Sequence, residues 1–303
     1  MQQNMQPSIF QSIVRHPAFL LIVGFVMVLA FMVGAQVFMQ ILSLPPGKID
    51  AIDLLEAVIA ASMCMIGYWL FVRFIECKPF ADFAMDRALQ EWGFGAAVGA
   101  GAMVMTVGVI WALGGYTVTG HNGPEVLVGV LAVAIISGVT EEVLLRGIVF
   151  RFLENWLGSA AALALSALLF GVLHLGNPNS SWLAAFAIAL EAGVLLGAIY
   201  MLTRRLWAAI GLHMAWNSVQ GGVFGVAVSG TDVKGLLISK SSGSDLLSGG
   251  AFGAEASLPA IIICTSIGVF FLWKAYQNGQ FVHPSLHRFK TGMAAVKIRA
   301  LTP

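Results

Sequence analysis

The stretch VLVGVLAVAIISGVTEEVLLRGIVF, residues 126–150, decides the fold. No charged residue occurs before Glu141, and Glu142 and Arg146 follow within the next five positions. About 20 apolar residues in a helix span the hydrocarbon core of a bilayer, because a helix satisfies its own backbone hydrogen bonds there. We therefore predict that this stretch is a transmembrane helix that carries charged side chains at membrane depth.

Similar apolar stretches occur on both sides of it. The eight predicted spans are residues 18–44, 54–75, 94–113, 126–150, 160–175, 182–201, 206–228 and 258–276. The composition agrees with them, since 58% of the residues are hydrophobic and 10% are charged, against about 25% charged in soluble domains. The sequence predicts an all-α, polytopic membrane protein with about eight transmembrane helices, in a single multi-pass domain over residues 1–303.

The charge and cysteine content exclude some classes of function, and the positions of the basic residues predict the orientation in the membrane. The net charge is +1 without a dense basic block, so nucleic-acid binding is not expected. The three cysteines are far apart, which excludes a closely spaced zinc or redox motif. Of the 16 lysines and arginines, only Lys48, Lys234 and Lys240 fall on one side of the predicted spans. Positively charged loops stay cytoplasmic, so we expect a cell membrane protein, of bacterial type, with both termini in the cytoplasm.

Polar side chains lie within four of these spans, where an ionisable group is costly and therefore a functional candidate. Glu142 and Arg146 are four residues apart and can pair on one helix face, which leaves Glu141 free for another task. Other pairs with the same spacing are His213 with Asn217, and Phe170 with His174, where the ring would form an aromatic wall beside the imidazole. Taken singly, each pair is also typical of structural hydrogen bonding. Together they predict one site.

A carboxylate, two histidines and an amide can hydrolyse a substrate with an activated water. The carboxylate takes a proton from water, and the donors stabilise the oxyanion. The same groups, Glu141, His174 and His213, could instead bind Zn²⁺, which would lower the pKa of the water. The residues alone leave both chemistries open. They also leave unassigned the roles of Glu191, in the sixth span, and of the glycine- and serine-rich connection 229–257.

Glu141-Glu142-x-x-x-Arg146, Phe170-x-x-x-His174 and His213-x-x-x-Asn217 occur in this order on successive apolar helices. Together they resemble the three motifs of the CAAX prenyl protease and bacteriocin-processing family, also called CPBP or Abi. The resemblance covers about residues 126–220, which we take as the catalytic core. It implies an intramembrane endopeptidase that cleaves a membrane-associated protein or peptide in the lipid bilayer. In this interpretation Glu141 activates water, His174 assists, His213 and Asn217 support the oxyanion, and Glu142, Arg146 and Phe170 are supporting residues.

Three expectations follow that a structure can test. The charge distribution places Glu141 and His174 at different depths in the membrane, where they could not share a water. For them to share one, the fourth helix should continue to about residue 156, which puts Glu141 near its middle, and residues 176–181 should dip inward. A protease should leave Glu191 outside the site. In the rival interpretations, a transporter would place Glu191 and Glu141 on one proton path, and an immunity-type protein would bind a peptide without cleaving it. Metal dependence stays open, although a zinc site would use Glu141 and leave no separate base.

Overall fold

Eight long helices build the protein in the computed structural model, which describes residues 16–42 and 49–284. The helices are α1 (Pro17–Leu42), α2 (Ile49–Leu70, extended by the π-helical Phe71–Ile75), α3 (Ala88–Ala112), α4 (Leu127–Glu142, Val143–Phe150 and Arg151–Leu157), α5 (Ser159–Leu173), α6 (Trp182–Ile188, Ala189–Gly193 and Val194–Thr203), α7 (Leu206–Asn217 and Ser218–Val223) and α8 (Leu258–Gln277). The all-α, polytopic architecture predicted from the apolar stretches is confirmed.

Seven of these helices are long and apolar enough to cross a membrane, within the part of the chain that the structure describes. The exception is α7, which carries His213, Asn217 and Gln220. Most of its side chains are buried, and α3, α4 and α6 pack around it. It can be this polar because its neighbours, rather than lipid, surround its polar face.

The fourth helix is much longer than the apolar stretch that predicts it. It continues without a break from Pro124 to Leu157, a length of 34 residues. Glu141 therefore lies near the middle of the helix rather than near one end. This extension is expected if Glu141 and His174 share one site. It removes most of the difference in membrane depth between these two residues that the charge distribution predicts.

One end of the bundle is held together by ion pairs between its loops and helix ends. Arg151 of α4 bonds Glu76 at the end of α2 with an Nη2–Oε2 distance of 2.5 Å. Arg204, between α6 and α7, pairs with Glu154, and Arg205 pairs with Asp86 at 2.7 Å. Arg151, Arg204 and Arg205, which the charge distribution assigns to one side, thus lie at one end of the fold. The terminal basic residues of that assignment, in 1–15 and 285–303, lie outside the described residues, as does Lys48.

The opposite end is closed by non-helical chain. Strands β1 (Tyr116–His121) and β2 (Leu237–Ser241) form an antiparallel pair with an irregular register between Val118 and Gly120. The connection 229–257 contributes β2 and then turns inward, so that Phe252, Glu255 and Ser257 are buried. The last part of this connection, residues 252–257, is therefore part of the core.

Candidate functional site

The site begins where α4 and α7 approach each other closely. A Cβ atom on Gly138 would lie 2.5 Å from Cγ of Met214 and 3.2 Å from its backbone nitrogen. Real Cβ contacts are longer, so only glycine allows the two backbones to come this near. One turn further along α4, the same approach brings Glu142 to His213.

Glu142, Arg146 and His213 form a buried chain of polar contacts. Oε1 of Glu142 accepts from Nη1 of Arg146 at 2.9 Å and contacts Nδ1 of His213 at 2.9 Å. The other terminal nitrogen of Arg146 donates to the carbonyls of Ala192 and Gly193 on α6. The pair expected from the four-residue spacing is present, and it fixes the imidazole of His213 in one orientation.

Phe170 of α5 lies among these polar groups. Its ring centroid is 4.7 Å from that of His174 and 6.2 Å from that of His213. The guanidinium carbon of Arg146 lies 4.8 Å from the same centroid, a cation–π distance. Phe170 therefore sets the spacing between the two histidines and covers the buried cation.

His174 presents one definite nitrogen to a small cavity at this point of the fold, with a volume of about 20 Å³, enough for a water molecule. Its Nδ1 lies 2.8 Å from the carbonyl oxygen of Phe170, so Nδ1 carries the proton and donates it to that acceptor. The lone pair of the neutral ring is then on Nε2. A base in this form can accept a proton from water in the cavity.

Asn217 lies one turn beyond His213 on the same cavity wall. Its Nδ2 donates to Oγ of Ser137 at 2.8 Å, and that hydroxyl donates to the carbonyl of Val133. Ser137 is one turn before Glu141 on α4. The amide of Asn217 is thus oriented by the helix that also carries Glu141 and Glu142.

Glu141 lies at the rim of this arrangement. His174, His213 and Asn217 line the cavity, whereas Glu141 is not among the lining residues. Its Oε2 is 4.0 Å from Nε2 of His213, and the side chain is 33% exposed. That oxygen is itself buried without a hydrogen-bond partner. The expected convergence of four residues in one cavity is therefore incomplete, because Glu142 occupies the inward position next to the imidazole.

The residues of the zinc hypothesis do not form a metal site. Within residues 16–42 and 49–284, no three His, Cys, Asp or Glu side chains are placed to hold a metal ion. The ring of Phe170 lies against both histidines, and Glu141 is not among the residues that line their cavity. The arrangement of these three side chains therefore does not fit a zinc ion.

The structure also brings two further carboxylates to the cavity. Glu191 of α6 and Glu255 of the connection before α8 both line it. The expectation that Glu191 lies outside the site is wrong, because the π-helical turn Ala189–Gly193 directs its side chain inward. Sequence reasoning missed Glu255 altogether. Its one sequence signal is an acid flanked by alanines directly before the helix-capping Ser257.

Burial changes the acidity of Glu255, which lies outside the membrane-spanning helices. Loss of water raises the pKa of its carboxyl, while His174 and the donors from Ser229 and Gln220 act in the opposite direction. Burial raises the pKa because the charged form is disfavoured away from water.

Comparison with known proteins supports the resemblance drawn from the three motifs. Residues 123–219 match the model of the family described as type II CAAX prenyl endopeptidase Rce1-like. The matched segment contains Glu141, His174, His213 and Asn217. Comparisons with curated proteins and with solved structures gave no significant match. The matched segment is about a third of the chain and coincides with the region of the three motifs, so this segment is similar to a family of membrane endopeptidases.

Proposed function

Because this multi-pass membrane protein carries an Rce1-like segment, we propose that it hydrolyses a peptide bond of a membrane-associated protein or peptide within its catalytic core, at about residues 126–220. Glu141, His174, His213 and Asn217 are the proposed catalytic residues, with Glu142, Arg146 and Phe170 in support. The observation that carries the proposal is the orientation of both imidazoles. Each Nδ1 is occupied by a defined partner, so each Nε2 is left for chemistry.

The mechanism assigns proton transfer to Glu141 and His174, and hydrogen-bond donation to His213 and Asn217. A water held between Glu141 and the histidines attacks the carbonyl carbon, and its proton passes to Glu141, with His174 Nε2 as assisting base. The tetrahedral oxyanion accepts hydrogen bonds from Asn217 Nδ2 and from Nε2–H of a doubly protonated His213, whose Nδ1–H donates to Glu142. The C–N bond then breaks, and the proton held by Glu141 is delivered to the leaving amine. Side chains of this protein thus relay every proton in the scheme.

The test is cleavage of a peptide by purified protein in liposomes. The substrates are a prenylated peptide ending in a CAAX sequence and its unprenylated copy, each with and without a metal chelator. We expect cleavage that survives the chelator. Cleavage that requires metal would overturn the glutamate mechanism, and binding without cleavage would favour the immunity-type role.

Proton-coupled transport is a second candidate because Glu191 lines the same cavity as the histidines. In a transporter, Glu191 would carry protons, so Glu191→Gln would abolish substrate-driven proton flux into proteoliposomes. A protease would show no substrate-driven proton flux, either as the wild type or as Glu191→Gln. Measuring internal pH in the same liposomes therefore separates the two candidates.

A further inference from the structure

Two buried carboxylates in the cavity have no lysine or arginine to balance them. Glu191 is 1% exposed and Glu255 is 2% exposed. Among the described residues neither has a lysine or arginine within ion-pair distance, and the nearby Arg146 pairs with Glu142 instead. Buried charges are normally paired or bind a cation. The nearest group that can become cationic is His174, which interacts electrostatically with Glu255, so no permanently charged side chain of the described residues balances the two acids.

The contacts of Glu191 leave one oxygen free for a ligand. The thiol of Cys264 on α8 donates to its carboxylate. Oε1 is buried and has no hydrogen-bond partner, although Glu191 faces the cavity. An unpaired buried oxygen costs free energy, and a donor entering the cavity would remove that cost.

Glu255 is held in place by the chain around it. The backbone N–H of Ser229 donates to its Oε1, and the side chain of Gln220 contacts its carboxylate. Gly253, with φ +124°, lies so close to Ala227 that a Cβ would be 2.1 Å from its carbonyl oxygen. These neutral partners orient the carboxylate without neutralising it.

The shape and the donor set favour one chemical class of cation. Besides the acids and the histidines, the cavity is lined mostly by apolar side chains, among them the aliphatic Ile188, Leu195, Leu196 and Leu212. A primary ammonium is a compact charge with three donors on a slim stem, whereas a guanidinium is broad and planar. A metal ion would need a third ligand of the His, Cys, Asp or Glu type, and the described residues supply no such group.

We infer that Glu191 and Glu255 form a subsite for a primary ammonium group of the substrate, a lysine side chain or a free amino terminus near the scissile bond. The inference rests on the proposed function for the identity of the substrate. The subsite shares its cavity with His174, His213 and Asn217, so a bound ammonium would fix the position of the neighbouring peptide bond. Glu191 and Glu255 are specificity-determining residues in this scheme.

The first experiment does not depend on catalysis. Protonated n-pentylamine and n-pentanol are compared at neutral pH for their effect on the thermal unfolding of the purified protein. We expect the amine, and not the alcohol, to raise the unfolding temperature, and Glu191→Gln with Glu255→Gln to remove the difference. The control is Glu125→Gln, an exposed glutamate away from the cavity. Equal effects of amine and alcohol on the wild-type protein would overturn the subsite, even if the double variant does not fold.

The second experiment measures cleavage of peptides that carry lysine, norleucine or glutamate at each position beside the scissile bond, with free or acetylated amino termini. We expect the kcat/KM of the best ammonium-bearing peptide to exceed that of its neutral partner by about tenfold or more. Acetylation distinguishes an amino terminus from a lysine. In Glu255→Gln the ratio should fall toward one. Cleavage without any preference for an ammonium would refute the inference and leave the proposed function intact, whereas absence of cleavage would leave the amine-binding test standing.

Discussion

At the residue scale, the two adjacent glutamates of α4 have different surroundings. Glu142 is fully buried and bonded to both Arg146 and His213. Glu141 is partly exposed and has one buried oxygen without a partner. Both partners of Glu142 contact its Oε1, and its Oε2 is buried without a hydrogen bond, as is Oε2 of Glu141. The difference is the ion pair: Arg146 stabilises the charged form of Glu142 and makes it a poor base, whereas Glu141 has no arginine partner among the described residues and can accept a proton.

We predict that Glu141→Gln lowers turnover by about 10² or more, because it removes the proton acceptor and keeps the shape. The thermal unfolding temperature should stay near that of the wild type. Turnover is measured on the prenylated peptide in liposomes. Glu125→Gln is the matched control and should retain activity. If Glu141→Gln cleaves at the wild-type rate, Glu141 is not the base.

Asn217→Ala should lower turnover by about 10²–10³, the usual loss for one oxyanion donor. Ser137→Ala should produce a smaller loss, since Asn217 then keeps its amide but loses the acceptor that orients it. The exposed Asn278→Ala serves as control. Equal losses for all three variants in the peptide assay would indicate a general effect on the protein rather than on the oxyanion.

Arg146→Ala should affect stability as well as activity. It leaves Glu142 as an unpaired charge in a buried position, a change that costs about 3–5 kcal/mol. The double variant Glu142→Gln with Arg146→Met removes both charges, so it should regain most of the stability and remain inactive because His213 loses its charged partner. Detergent unfolding curves and peptide cleavage test both statements. A stable Arg146→Ala protein would contradict the structural role of the pair.

At the scale of elements, the contact between α4 and α7 depends on the absence of a side chain at Gly138. Gly138→Ala should destabilise the protein by about 1–3 kcal/mol through overpacking against Met214 and should lower activity by moving Glu142 away from His213. Gly101→Ala is the control, because a Cβ there meets no atom within 4 Å and alanine favours the helix. Unfolding of both variants, followed in the same detergent, gives the comparison. Equal stability would show that the two helices can separate without cost.

The parts of the site that sequence predicts are those that lie within one helix. Residues four apart share a helix face whatever the tertiary structure, which is why Glu142–Arg146, Phe170–His174 and the positions of His213 and Asn217 follow from spacing alone. Glu255 and Glu191 could not be placed in this way. The inward position of Glu255 depends on a loop contact with Ser229, and that of Glu191 on a π-helical turn, and neither has a periodic signal.

At the scale of the whole molecule, the two ends of the bundle differ in chemistry. One end is joined by the ion pairs of Arg151, Arg204 and Arg205, and the other by β1, β2 and the connection 229–257. Hydropathy predicts the helices because lipid imposes apolarity along seven of the eight described ones, but it carries no information on the packing of a polar loop against the bundle. The way in which the connection 229–257 closes the cavity therefore cannot be predicted from the sequence.

The orientation in the membrane can be measured with a native cysteine. Cys77 is exposed at the ion-paired end, while Cys64 and Cys264 are buried. We predict that this end is cytoplasmic, so a membrane-impermeant maleimide should label Cys77 after permeabilisation and not in intact cells. A Cys77→Ser variant measures the background. Labelling of intact cells would reverse the orientation.

The π-helical segments have a consequence for how the chain tolerates insertions and deletions. Three of them border the site: Val143–Phe150 after Glu142, Ala189–Gly193 around Glu191, and Ser218–Val223 after Asn217. A π-bulge holds an extra residue within an α-helix, and each residue of an α-helix adds a rise of 1.5 Å and about 100° of rotation. Deleting one residue in such a segment would convert it to regular α-helix and leave the turns on both sides in nearly the same register, whereas a deletion in a regular stretch would turn everything beyond it by that angle. A one-residue deletion in Val143–Phe150 should therefore keep Arg151 and Glu154 near Glu76 and Arg204, whereas a deletion between Arg151 and Glu154 would rotate Glu154 away from Arg204.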